Sequence, residues 1–186
     1  MRIIGGKYKG KNIFLPKDKE TRPLRDMVKE SIFNLLRHSN KINLNITNSN
    51  ILDLFSGSGS FGLECVSRGA KNIFFVENYE KAVEILKKNI FELKSEKICQ
   101  IIQEDCFKFL KSIKEIDEKF DFIFIDPPYK EQNIDLLIKI IKQKKMLSDN
   151  GVIILHRHKK DNIIVDRILN VLDERFYGLS KIIIGN

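Results

Sequence analysis

Ile51-Leu52-Asp53-Leu54-Phe55-Ser56-Gly57-Ser58-Gly59-Ser60-Phe61-Gly62 is the stretch whose reading decides the fold. A short apolar run passes into glycines spaced G-x-G-x-x-G (Gly57, Gly59, Gly62), the pattern of a strand that turns sharply into a helix. Glycine admits positive φ and lets backbone approach a ligand closely, so such a turn can cradle a nucleotide-like group. Glu77 stands twenty residues after Gly57, at the end of the next apolar run, where a carboxylate can meet a ribose diol. A dinucleotide fits this pattern, and so does a tight turn with no ligand at all.

Outward from that turn, short apolar runs alternate with helical periods. Residues 51–55, 72–76, 97–103, 120–125 and 152–155 read as strands. Tyr79, Ala82, Val83, Leu86, Ile90 and Leu93 keep one helical face, and Ile134, Leu137, Ile138 and Ile141 another. Ile164, Val165, Ile168, Leu169 and Leu172 suggest a further helix. Strands alternating with amphipathic helices imply right-handed βαβ units and a parallel sheet covered on both faces. Residues 174–177 and 181–184 flank Gly178 too closely for a helical crossover, so they are expected to pair antiparallel as the last strands.

Ahead of this core the pattern differs. Residues 3–15 carry glycines at 5, 6 and 10 and read as a hairpin turning at Lys9-Gly10. A helix is predicted from Asp26, taken as its N-cap, with Val28, Ile32, Leu35 and Leu36 on one face. An asparagine-rich stretch, 39–50, follows as a linker or surface loop. The expected organisation is a basic extension over residues 1–48 and an α/β domain over 49–186.

The chain has 186 residues, 42% of them hydrophobic and 31% charged, enough for one core under a soluble surface. It has no apolar run long enough to span a bilayer and no signal-peptide pattern, so a cytoplasmic protein is expected. Cys65, Cys99 and Cys106 form no C-x-x-C pair and have no histidine nearby; they read as buried thiols, not a zinc site or disulfide framework. Net charge is +8, partly a bias toward lysine, isoleucine and asparagine that an AT-rich genome produces. Residues 1–29 nonetheless hold nine basic side chains against three acids, which suggests a surface for a polyanion.

Asp53 narrows the ligand. An acid four residues before the first glycine sits under the turn, awkward for a pyrophosphate but suited to a ligand bearing an ammonium and a sulfonium, such as S-adenosylmethionine. Asp105, at the end of the third strand, could accept from an adenine amino group or cap the helix after it. The fourth strand ends in Asp126-Pro127-Pro128-Tyr129. Proline fixes φ and removes the backbone donor, so this turn presents acceptors beside a flat aromatic wall, suited to a planar group that carries an amine. Ligands of open α/β sheets bind at this edge.

These residues resemble the class I S-adenosylmethionine-dependent methyltransferases with an (Asp/Asn)-Pro-Pro-(Tyr/Phe) motif, which methylate exocyclic or amide nitrogens. More narrowly, the chain is similar to the bacterial small-subunit rRNA guanine-N2 methyltransferases of the RsmD type. Besides Asp126–Tyr129 and the glycine turn, the resemblance is carried by Arg2-Ile3-Ile4-Gly5-Gly6 with Lys9-Gly10, Arg22-Pro23 through Asp26, Val28-Lys29-Glu30, Ile32-Phe33-Asn34, Gly62-Leu63-Glu64 and Ser67-Arg68-Gly69-Ala70. It implies a Rossmann-like, seven-stranded, mostly parallel sheet with an antiparallel last strand and a small N-terminal hairpin-helix extension. It also implies catalysis by Asp126, Pro127, Pro128 and Tyr129. S-adenosylmethionine would be held by Asp53, Phe55, Gly57, Gly59, Glu77, Asp105 and Cys106, with no metal. Lys9, Lys11, Arg22, Arg25 and Lys29 would contact 16S rRNA, free or within an assembled small subunit, and the chain is expected to be a monomer. Phe33 reads as a packing residue. His156-Arg157-His158 depart from the family, which places an acid after the fifth strand.

Rival readings are an adenine-N6 DNA or RNA methyltransferase, a protein-glutamine methyltransferase and a non-catalytic RNA-binding assembly protein. A glutamine enzyme is expected to carry Asn ahead of the two prolines. The intact acids at four strand ends speak against a non-catalytic role.

Overall fold

The computed structural model of the chain describes residues 1–18, 24–42, 44–113, 119–161, 163 and 165–186. Its elements are α1 (Asp26–His38), β1 (Asn50–Leu54), α2 (Ser60–Ser67), β2 (Asn72–Val76), α3 (Glu80–Glu92), β3 (Cys99–Ile102), α4 (Cys106–Ser112), β4 (Phe120–Ile125), α5 (Ile134–Gln143), β5 (Leu147–His158), β6 (Val171–Tyr177) and β7 (Ser180–Gly185). They form a seven-stranded sheet in the order β3-β2-β1-β4-β5-β7-β6. β1 to β5 run parallel, and β7 pairs antiparallel with both β5 and β6. This is the α/β, mostly parallel sheet that the alternating pattern implies.

Successive side chains of a strand point to opposite faces, and the core divides accordingly. Ile51, Ile73, Phe75, Phe122, Phe124, Val152 and Ile154 pack with α1, α2, α3 and the N-terminal Ile3 and Ile13. Leu52, Leu54, Val76, Ile123, Ile125, Ile153 and Leu155 face α4, α5 and the buried Val165 and Leu169. The order of strands reverses between β1 and β4, where connections leave to opposite faces and open a crevice at the carboxyl ends. No described helix is long and apolar enough to cross a membrane.

Four expectations change. The helix expected from Ile164 does not continue: Ile168 and Leu169 N–H groups both donate to the Val165 carbonyl, one turn only. Asn170 then exchanges two backbone hydrogen bonds with Asn186 beyond β7, which draws the chain into β6. The apolar spacing is real, since Val165 and Leu169 are buried, but it fills the core from a turn; Ile164 lies outside the described residues. Asp26 is the first residue of α1, not its cap; Arg25 occupies that position, and Asp26 pairs with Arg2 at 3.4 Å. The stretch after α1 is more than a linker, because Ile42 and Ile46 are buried in the core. β5 begins at Leu147, earlier than expected, because Ser148-Asp149-Asn150-Gly151 bulges out between the pairs Phe120–Leu147 and Phe122–Val152.

The N-terminal segment does reverse near Lys9-Gly10. Arg2 bridges Asn12, and Ile3 exchanges backbone bonds with Lys11 and Gly10. Its tip docks on the end of α2: Lys7 N–H donates to the Ser67 carbonyl at 2.7 Å, and Tyr8 N–H to Ser67 Oγ at 2.9 Å. Gly6 has φ 73°, and a Cβ there would meet the Ser67 carbonyl oxygen at 1.9 Å, so only glycine allows this approach.

Candidate active site

A cavity of about 520 Å³ opens at the reversal point, lined by the β1–α2 turn, the end of β2, the end of β4 and Leu24. The turn is shaped by positive φ at Phe55 (57°), Gly57 (54°) and Gly59 (85°), which becomes the N-cap of α2. A left-handed phenylalanine stores strain of about 1–3 kcal/mol, of the kind that clusters at ligand sites.

Two acids hold this turn. Gly57 N–H donates to Glu77 Oε2 at 2.7 Å, and Tyr79 N–H to Oε1 at 2.9 Å. Gly62 N–H, in the first turn of α2, donates to Asp53 Oδ2 at 2.9 Å. α2 therefore receives from β1 the capping acceptor that Gly59 cannot supply. A carboxylate offers about four acceptor positions, so Glu77 retains capacity toward a ligand. Ser56 Oγ is buried at the cavity wall and has no hydrogen-bond partner among the described residues.

Burial holds the Asp53 carboxyl well above the usual carboxylate range, and the charges of Asp126 and Glu77 push the same way against the Gly62 hydrogen bond. Among the described lining residues three are carboxylates (Asp53, Glu77 and Asp126), against one cation, the exposed Lys130. Such a site favours a positively charged ligand. The sign for stability follows directly. A raised carboxyl means that the folded state keeps its proton longer, so stability falls as pH rises from about 4 through the folded value. Asp53→Asn keeps an acceptor for Gly62 N–H and removes the charge. It is expected to gain about 0.5–2 kcal/mol at pH 8, with the gain vanishing toward pH 4. Urea denaturation across that range measures this, and equal stability at pH 8 would contradict it.

Asp126 extends β4, beside Phe55 by the pairing of Leu54 with Ile125. Phe61 and Phe124 stack at 4.0 Å to form the cavity's apolar wall, with Phe33 stacked behind Phe61 at 5.3 Å, as its packing role requires. The Tyr129 ring lies at the rim, 42% exposed.

The departure at the end of β5 is where sequence reasoning missed most. Leu155 pairs with Ile125, so residues 156–158 run alongside 126–128. His156 Nδ1 lies 2.8 Å from Asp126 Oδ1, and its Nε2 lies 2.9 Å from Ser180 Oγ. Arg157 is buried and donates to the carbonyls of Pro128 (3.2 Å), Tyr129 (3.3 Å) and Glu131 (2.9 Å), while pairing with Asp161. The His158 ring meets the Tyr129 ring edge-on at 5.1 Å. The signal available in the sequence was a run of three hydrogen-bonding side chains ending an otherwise apolar strand.

Other expected site residues scatter. Asp105 caps α4, its Oδ1 accepting from the Phe107 and Lys108 N–H groups at 3.0 Å each. The Cys106 thiol faces the core, pushed up by burial, so only its main chain could meet a ligand. Asp105, Cys106 and Gly59 stand beside the cavity and do not line it. Lys9, Lys11 and Arg25 are exposed, and Lys11 Nζ donates to the Glu92 carbonyl. Arg22 lies outside the described residues. Lys29 corrects its assignment to RNA. Its side chain is 0% exposed, and its ammonium donates to the Arg2 carbonyl at 2.7 Å and lies 3.7 Å from Glu64, so no surface remains for a phosphate.

Comparison with known proteins agrees with this architecture. The YlbH protein of Bacillus subtilis is 34% identical over 186 residues, covering 99% of this chain and 97% of its own. The ribosomal RNA small subunit methyltransferase D of Haemophilus influenzae is 32% identical over 180 residues, covering 96% and 90%. A solved structure from Escherichia coli aligns with a TM-score of 0.82 at 25% identity, covering 100% of this chain and 96% of that one. The model of the family described as Conserved hypothetical protein 95 matches residues 1–186, and the chain belongs to that family.

Proposed function

We propose that this chain uses S-adenosylmethionine to methylate the exocyclic N2 amine of a guanine in small-subunit (16S) ribosomal RNA. The observation that carries the reading is the convergence of Asp53, Glu77 and Asp126 on one cavity beside the Pro127-Pro128-Tyr129 turn. The bound donor would supply an electrophilic methyl group on a sulfonium. The residues suit it: an acidic cavity for a cation, a buried Ser56 hydroxyl with no hydrogen-bond partner among the described residues, and a glycine turn open to close approach. Asp53 would face the donor's ammonium, and Glu77 its ribose hydroxyls. Phe55, Gly57 and Gly59 would shape the turn around it, with Asp105 and the Cys106 main chain at the adenine end.

Guanine N2 is a poor nucleophile because its lone pair is delocalised into the ring. Asp126 and a proline carbonyl would accept hydrogen bonds from the amine and favour a pyramidal nitrogen whose lone pair faces the methyl carbon. Tyr129 would stack on the base, a contact worth about 1–3 kcal/mol. Alignment and preorganised acceptors supply the acceleration. The nitrogen becomes cationic as it gains the methyl group and then loses a proton, so no dedicated base is required. The base must be unpaired or flipped to enter.

Residues 1–48 would serve as the RNA-facing extension, through Lys9, Lys11, Arg22 and Arg25, and residues 49–186 as the catalytic domain. The chain would act as a cytoplasmic monomer on free rRNA or on an assembled small subunit. The test is mass spectrometry of nucleosides after incubating the protein and donor with deproteinised rRNA, small subunits or DNA. N2-methylguanosine in rRNA is the expected product. N6-methyladenosine would move the reading to adenine, and no product from any substrate would refute it.

A further inference from the structure

We infer that His156 is a positioning residue for Asp126, the anchor of a brace that β5 and β7 build behind the Asp126–Tyr129 turn. The inference rests on the proposed function for its kinetic meaning and on the fold alone for its geometry. An aspartate at a strand end has two rotatable bonds and no intrinsic orientation. Here His156, buried at 4% exposure, fixes one carboxylate oxygen from the adjacent strand. An ionised carboxylate only accepts, so Nδ1 carries the proton, and in the neutral ring Nε2 then accepts from the Ser180 hydroxyl. Ser180 belongs to β7, so the ring is held at both nitrogens between two strands.

The next two residues support the same turn. Arg157 gathers the carbonyls of Pro128, Tyr129 and Glu131, the first of which also accepts from the Glu131 N–H at 2.9 Å. His158 borders the Tyr129 ring. Three consecutive side chains thus engage the carboxylate, the main chain and the aromatic ring of one turn. Misplacement of a reacting group by about 1 Å can cost on the order of 10²-fold in rate, and the brace restrains that motion.

Amide substitutions separate the two ring contacts. The Asn amide nitrogen takes the place of Nδ1 and can still donate to Asp126, while that of Gln takes the place of Nε2 and cannot. His156→Asn is expected to keep kcat within about threefold, whereas His156→Gln and His156→Leu lose about 10²-fold. KM for the donor should stay within about twofold in all three. Equal loss in Asn and Gln, no loss in Leu, or a rise in KM matching the fall in kcat would overturn the positioning role.

If the wild-type protein methylates no substrate, the functional reading has failed and the brace is read by nitrogen NMR of labelled histidine. His156 should then be protonated at Nδ1 when neutral and change its tautomer balance in Asp126→Ala. An unchanged His156 spectrum in that variant would overturn the brace independently of activity.

Discussion

Asp126→Ala is expected to lower methyl transfer by about 10³-fold while leaving donor affinity within about threefold. The carboxylate is the one charged acceptor at the turn that would hold the target amine, and loss of a single preorganised hydrogen-bonding group in an active site costs about 10²–10³-fold in kcat. Donor affinity should survive because Asp53 and Glu77, which hold the glycine turn, are fixed by Gly62, Gly57 and Tyr79 and not by Asp126. Removing a charge that raises the Asp53 carboxyl would if anything leave Asp53 more readily ionised toward a cation. The substitution also deprives His156 Nδ1 of its acceptor, a loss of about 1–3 kcal/mol in stability. Rates should therefore be compared well below the melting temperature of the variant. Asp126→Asn retains a carbonyl acceptor and should fall between alanine and wild type. Calorimetry with the donor alone and single-turnover transfer to rRNA separate the effects. Equal losses of binding and transfer would remove Asp126 from the chemistry and make it a cofactor residue.

How far the sequence reached depends on the range of the interaction. The glycine turn, the five parallel strands and the antiparallel tail are written in local spacing: period-2 and period-3.6 apolar patterns and punctuation by glycine and proline. They were legible from residues 51–62 outward. The candidate site was legible wherever a strand end carried its own acid. Asp105 was half-legible, since capping and ligand contact use the same residue at the same place, and its two hydrogen bonds to α4 account for the capping half. His156 was illegible because its partner is a residue thirty positions away that becomes a neighbour only through strand pairing. The Ile164–Leu172 pattern misled because apolar spacing of three and four also serves a single turn that plugs a core, and the Asn170–Asn186 backbone pair decides against a helix. Lys29 misled for a different reason. Lysine is almost never fully buried unless paired, and nothing local in α1 announces that Glu64, from α2, is the pair.

That pair leads to the largest expected effect on stability. Glu64 is buried at 0% exposure and uses both carboxylate oxygens, one across the seam between the N-terminal segment and α2 and one toward Arg68 at the end of its own helix. Oε2 accepts from Ile4 N–H at 2.9 Å and faces Lys29 Nζ at 3.7 Å; Oε1 accepts from Arg68 Nε at 2.9 Å. Lys29 in turn donates to the Arg2 carbonyl, and the Arg68 guanidinium lies 4.2 Å over the Phe33 ring. Glu64→Ala removes the buried carboxylate facing the Lys29 ammonium, leaving it the Arg2 carbonyl and the half-exposed Asp26 at 3.9 Å, and takes the acceptor from Ile4 N–H. Breaking a buried pair from one side costs about 3–5 kcal/mol. In a chain of 186 residues that is a fall in Tm of about 6–20 °C. The pH dependence carries the signature. Burial already holds the Lys29 ammonium below its ordinary value, opposed chiefly by Glu64 and then by Asp26. Without Glu64 that value drops further, so above it the unfolded chain binds more protons than the folded one, and the variant becomes more stable as pH rises from the lowered value toward 10.5. Adding Lys29→Met to Glu64→Leu removes both charges and should recover most of the loss, because a buried pair replaced by apolar side chains is often neutral. Thermal unfolding of the three proteins at pH 7 and pH 9 decides the matter. A loss below about 1 kcal/mol in Glu64→Ala, or an equal loss at both pH values, would mean that water reaches the ammonium and that the seam is held by its apolar contacts alone.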